Sequence, residues 1–122
     1  GRDTERGAGA GVGATLNLPL PAGTDGDRWL RALDEAAIGA IAGHRPDVIL
    51  VSAGYDAHDA DPLAGLRLAT ETYGSVAARV VEMARSTGGA GSVWFLEGGY
   101  DLEAMPASIA ATLRVLAADT AG

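Results

Sequence analysis

Two apolar runs of strand character, each breaking directly into a glycine-bearing polar loop, constrain this chain more than any other feature. The first, opened by Pro46, reads Asp-Val-Ile-Leu-Val-Ser-Ala-Gly over residues 47–54, and the second is Ser92 to Leu96. Continuous β-branched and aliphatic runs of this kind predict strands covered on both faces, as in parallel sheets. The loops that follow are Ser52 to Leu63, rich in aspartate, and Leu96 to Asp101, which reads Leu-Glu-Gly-Gly-Tyr-Asp. In open parallel α/β sheets ligands gather at the carboxyl ends of strands, so both loops are expected on one rim.

The segments between these runs carry helical spacing. Trp29, Leu33, Ala36, Ala37, Ala40 and Ile41 mark a first helix, with Asp25 or Asp27 available as its cap and Gly43 at the position of a C′ glycine. Tyr73, Val76, Ala77, Val80, Val81 and Ala84 mark a second, closed by Gly88 and Gly89. Met105, Ile109, Thr112, Leu113 and Leu116 lie on one face of a third, which starts near Glu103 so that Pro106 falls in its first turn. Ala14 to Leu18 alternates as a short strand before Pro19. Strand and helix alternating three times predicts an α/β fold, a three-layer parallel sheet with flanking helices.

Composition removes several classes of function. The chain of 122 residues has the size of one modest domain. It has no cysteine, so disulfides, thiol nucleophiles and thiolate metal sites are excluded, and any metal is held by oxygen or imidazole. All nine basic residues are arginine, which removes Schiff-base and P-loop lysines. Nine basic against sixteen acidic residues give a net charge of −7, the wrong sign for a surface that tracks nucleic-acid phosphates. No window approaches the roughly 18 apolar residues of a membrane span. The expectation is a soluble, cytoplasmic protein without a membrane or nucleic-acid partner. The glycine- and alanine-rich opening at Gly1, without an initiator methionine, reads as the cut edge of a longer chain.

The loops hold the candidate chemistry. Asp56, Asp59 and Asp61 cluster with His58 just past the first run. Carboxylates there either form turns and caps or ligate a metal, and Asp61-Pro62 favours an extended backbone that could aim Asp61 inward. His58 is either an exposed loop histidine or an imidazole ligand or base. His44 lies at the opposite end of the strand, where its role is local. Gly98-Gly99 permits a sharp turn that leaves Tyr100 above the sheet, as an oxyanion donor or as a ring packed on the next helix. The glycines of residues 7–13 do not match a nucleotide loop, since a strand follows them instead of a helix. Asp101 and Glu103 read as first-turn acids favoured by the helix dipole.

Taken together, Asn17-Leu-Pro-Leu, Arg45-Pro-Asp-Val-Ile-Leu-Val-Ser-Ala-Gly-Tyr-Asp, Asp61-Pro-Leu-Ala-Gly-Leu and Leu96-Glu-Gly-Gly-Tyr resemble the C-terminal part of the histone deacetylase family. The resemblance runs from about Gly7 to Leu116 and points to bacterial class II-like members, including acetylpolyamine amidohydrolases and acetoin utilisation proteins. It implies a partial arginase/deacetylase fold, with residues 1–122 the C-terminal portion of a single domain whose N-terminal portion is absent. It further implies a Zn2+ cofactor and an acetylated lysine or polyamine substrate. By the same resemblance Asp61 is a zinc ligand and Tyr100 polarises the substrate carbonyl. Leu68 lines the substrate tunnel, and Gly98 and Gly99 let the acyl chain pass close to the backbone. The family pattern reserves no histidine at position 58. The family's Asp-x-His ligand pair and its tandem histidines are missing from the chain, so on this reading it should not hydrolyse anything alone. Two alternatives stand beside it, a non-catalytic binding or assembly module and an arginase-like dimanganese hydrolase, the latter disfavoured by the Glu-Gly-Gly-Tyr block.

Overall fold

A computed structural model describes residues 1–120. The Asp25 carboxylate accepts the Arg28 N–H at 2.9 Å and starts helix α1, Gly26–Ala32. One π-helical stretch, Leu33–Ala37, joins α1 to α2, Ile38–His44. The helix therefore runs one residue past Gly43 and ends when Arg45 turns left-handed, at φ 50° and ψ 60°. Pro46 is the reason, because its ring bars the preceding residue from continuing a right-handed helix.

Strand β1, Ile49–Ala53, pairs in parallel with β2, Ser92–Leu96, and α3, Thr70–Thr87, makes the crossover. The register sets Ile49 opposite Ser92 and Ala53 opposite Leu96, so both strands end at one edge. Gly88 closes α3 in the left-handed conformation at φ 72°. Helix α4, Ala104–Thr120, follows with Pro106 in its first turn, where a missing N–H leaves no bond unmade.

The third expected strand does not form. Residues 14–18 have no ladder partner among the described residues, and an isolated extended segment has nothing to satisfy its backbone groups. Among the described residues, helices cover one face of the sheet. Leu50 is 65% exposed and Phe95 50% exposed, while Val51 and Trp94 are partly covered on the other face. The α4 stripe is rotated as well. Its buried positions are Ala104, Ser108, Ala111 and Thr112, and Leu113 points to solvent. Small residues win that face because α3 comes close: a Cβ on Gly74 would lie 3.5 Å from the Ala111 carbonyl oxygen.

The core under the strand ends is built on Tyr55, Leu68 and Tyr73, with Trp29, Met105 and Ile109 packed around them. Tyr55 and Tyr73 have ring centroids 5.0 Å apart. Each buried phenol finds a partner, as a buried donor must. Tyr73 donates to the Tyr55 carbonyl at 3.0 Å and Tyr55 donates to Thr112 Oγ1 at 3.2 Å. Burial, then the charges of Asp56 and Asp61, push the Tyr73 phenol far above its usual range, so it remains a donor.

One turn from Thr112, the fully buried Ser108 hydroxyl has no hydrogen-bond partner among the described residues. Ser108→Ala should therefore raise stability by about 1 kcal/mol, whereas Thr112→Val, which strands the Tyr55 hydroxyl, should lower it by about 1–3 kcal/mol. Urea unfolding of the two variants checks both signs, and a destabilised Ser108→Ala would contradict the unpaired hydroxyl.

Candidate active site

The paired strands deliver their two loops side by side. Beyond the strand ends the ladder continues, with the Glu97 N–H donating to Ala53 at 3.0 Å and the Tyr55 N–H to Gly98 at 2.6 Å. This fixes the Gly-Gly-Tyr loop against the root of the aspartate loop.

Asp61 sits at the junction and is 8% exposed. Its Oδ1 accepts the Leu63 N–H at 2.9 Å, and its Oδ2 accepts the Tyr100 N–H at 2.8 Å. Desolvation raises this carboxyl, but the N–H groups of Leu63, Tyr100, Asp101 and Ala64 outweigh it and hold the group below the usual carboxylate range. Asp61 is thus an anion at neutral pH. A carboxylate oxygen suits a hard or borderline cation.

Tyr100 follows Gly99 and is 55% exposed, so its ring does not pack into the core. Its backbone is held on both sides. Asp61 takes its N–H, and the next residue, Asp101, accepts the N–H groups of Glu103 and Ala104 at 3.0 and 2.7 Å, capping α4. An Asp three residues ahead of a helical pattern is a capping signal, so Asp101 caps α4 as well as favouring its dipole. Those two N–H groups hold the Asp101 carboxyl below its usual range.

Gly98 and Gly99 are required by close packing. A Cβ on Gly98 would meet Asp56 Oδ2 at 2.9 Å and one on Gly99 would meet Met105 Cγ at 2.9 Å, and Gly99 has φ 149°. Asp56 therefore fills the space behind the loop. Leu68 is 2% exposed and packs against Tyr55 and Tyr73, so it lies beneath the rim, in the core. An apolar cleft of about 210 Å³ adjoins it, bordered by Trp29, Val51, Tyr73 and Trp94.

His58 does not face Asp61 with its ring. Nδ1 accepts the Ala60 N–H at 3.1 Å and Nε2 is 3.2 Å from Thr70 Oγ1. Asp59 is directed outward to Arg67, 3.5 Å away on the surface. His44 is the exposed last residue of α2, away from this rim. Among the described residues, no three His, Asp or Glu side chains converge in a metal-binding group. A cation at Asp61 would thus take its other ligands from outside those residues.

A parallel sheet with a buried, anionic aspartate and an exposed tyrosine joined at its carboxyl edge defines the loop-bearing rim of a parallel α/β domain. The chain belongs to the histone deacetylase domain family, whose model matches residues 1–116. It is 51% identical over 115 residues to histone deacetylase 10, chloroplastic, of Oryza sativa, covering 93% of this chain and 26% of that protein. It is 38% identical over 101 residues to acetylpolyamine amidohydrolase 1 of Pseudomonas aeruginosa, covering 83% of this chain and 28% of that protein. Among solved structures, acetylpolyamine aminohydrolase from Burkholderia pseudomallei superposes with a TM-score of 0.85 at 29% identity, over 97% of this chain and 33% of that one. The chain therefore spans a quarter to a third of the length of these relatives. No described helix is long and apolar enough to cross a membrane.

Two outcomes follow from the loop geometry. Gly99→Ala should cost on the order of 1–3 kcal/mol through backbone strain, read by chemical denaturation, and an unperturbed variant would refute the strain at φ 149°. The Asp101 contribution should depend on pH. Its folded value lies below the usual 3.8, so its stabilisation is complete above that value and is lost as pH falls through the lowered one. The difference in melting temperature between wild type and Asp101→Ala should stay constant from about pH 8 to about pH 5 and shrink in more acid solution.

Proposed function

We propose that this chain supplies one zinc ligand, Asp61, and one oxyanion donor, Tyr100, to the active site of a deacetylase that hydrolyses the amide of an acetylated lysine or acetylated polyamine. The observation that carries this reading is the 2.8 Å bond from the Tyr100 N–H to the Asp61 carboxylate. It ties the anion that would bind the metal to the backbone of the residue whose phenol would meet the carbonyl. Membership of the deacetylase family supports it, as do relatives named for acetylpolyamine hydrolysis.

A bound zinc ion would supply Lewis-acid polarisation and an activated water. The chain's own residues do the rest of what is proposed here. Asp61 holds a carboxylate oxygen toward the site while its backbone bonds keep it ionised. Tyr100 presents a neutral hydroxyl that donates to the oxygen on which negative charge develops, and its exposure leaves it free to reach a ligand. Gly98 and Gly99 would let an acyl chain pass close to the backbone, whereas Leu68, assigned to the tunnel wall by the resemblance, is buried in the core beneath the rim.

A catalytic zinc takes three protein ligands and keeps one position open, so the remaining ligands and the general base belong to parts of the protein outside the described residues. On that reading the 122 residues form one portion of a single deacetylase domain and are inactive by themselves. A cytoplasmic location belongs to the same proposal. The rice relative, by its name, is chloroplastic.

In the complete protein, Asp61→Ala should lose zinc on dialysis, and stoichiometric zinc in that variant would sink the ligand assignment. Tyr100→Phe should keep its metal and lose about 100-fold in kcat on an acetylated substrate. Wild-type turnover in that variant would end the donor role.

A further inference from the structure

We propose that His58 is a positioning residue that sets the Asp61 carboxylate by folding residues 57–61 around its own side chain and carbonyl. The inference deepens the reading of Asp61 as a ligand and rests on it.

The ring's hydrogen bonds assign its tautomer. Nδ1 accepts the Ala60 N–H at 3.1 Å, so it carries no proton. The neutral ring then carries its proton on Nε2, which donates to Thr70 Oγ1 at 3.2 Å. The one lone pair of the ring is used within the loop. No basic nitrogen is left to bind a metal or to accept a proton from water, which removes the two chemical roles open to this histidine from sequence.

What the ring does instead is local and mechanical. The bond from Nδ1 to the N–H two residues on closes the same kind of turn that asparagine and aspartate side chains close. One residue further, the Asp61 N–H donates to the His58 carbonyl at 2.9 Å. Consecutive N–H groups, those of Ala60 and Asp61, are thus both bound by residue 58. The Nε2 end ties the turn to the first residue of α3, and the ring lies parallel to Tyr73, with centroids 6.5 Å apart. The neighbouring backbone is anchored as well, since the Asp59 N–H donates to Leu68 at 2.9 Å and the Leu68 N–H to Ala57 at 3.1 Å. His58 is therefore the link between the α3 frame and the backbone that aims Asp61, and through Asp61 it bears on Tyr100.

The test compares the complete wild-type protein with His58→Ala and His58→Asn. An asparagine oxygen can accept the Ala60 N–H, but asparagine cannot replace an imidazole as a base or ligand. Zinc affinity is measured by chelator competition, and amide hydrogen exchange at Asp61 and Tyr100 is measured in the metal-free proteins. The alanine variant should exchange faster at both amides and bind zinc on the order of 10-fold more weakly, as for other residues that orient a ligand. The asparagine variant should recover most of both losses. An asparagine variant as defective as alanine in zinc binding with unchanged exchange would overturn the proposal, and so would an alanine variant unchanged in both measurements. If the wild-type protein binds no zinc, the functional reading fails. The exchange comparison needs no metal and then decides the positioning role alone.

Discussion

The Asp61 carboxylate is the constraint on which the rim depends. Its two oxygens are bound by N–H groups from different loops, Leu63 on its own and Tyr100 on the other. A charge-assisted bond to a backbone N–H is stronger than a neutral one and strongly directional. Here it joins segments separated by 39 positions in the chain. The same bonds keep the carboxyl ionised against its own burial, so structural and chemical requirements coincide at one side chain.

That junction stands on an unusually specific floor. Tyr55 offers its N–H to Gly98, its carbonyl to Tyr73 and its hydroxyl to Thr112, and so connects the second loop, α3 and α4. Leu68 is buried with the two tyrosines in one cluster. Asp56 and Met105 press on Gly98 and Gly99 closely enough that neither position can carry a side chain without displacement. The loop that presents Tyr100 is thus shaped from below by packing and from both ends by aspartates, and the phenol itself remains in solvent.

Much of this is legible in the sequence. The runs at 47–54 and 92–96 became the parallel strands, Asp25 capped the first helix, Gly88 ended the second, and Pro106 lay in the first turn of the last. These are decided by local chemistry: side-chain branching, a carboxylate near free N–H groups, glycine's access to positive φ. Where the reading failed, a distant partner decided. Residues 14–18 had the alternation of a strand but no neighbour to pair with among the described residues. The helical stripe of α4 was drawn through its large residues, yet the close approach of α3 at Gly74 selected Ala111 and Ser108 for the buried face and left Leu113 outside.

The candidate site divides in the same way. By itself the sequence determined which groups reach the carboxyl edge of the sheet, because strand direction and loop position are local consequences of composition, and the blocks around Asp61 and Tyr100 carried the family resemblance. Spacing and composition alone could not separate Asp61 from Asp56, Asp59 and His58, since all four share one loop and similar chemistry, and it was the family resemblance that singled out Asp61. The tertiary structure supplied the physical distinction. It turned Asp59 outward, set Asp56 behind a glycine, used both nitrogens of His58 within the fold, and gave Asp61 alone the Tyr100 N–H. A hydrogen bond needs both partners within about 3 Å and in line, a condition that depends on where the whole chain goes and that no stretch of sequence contains.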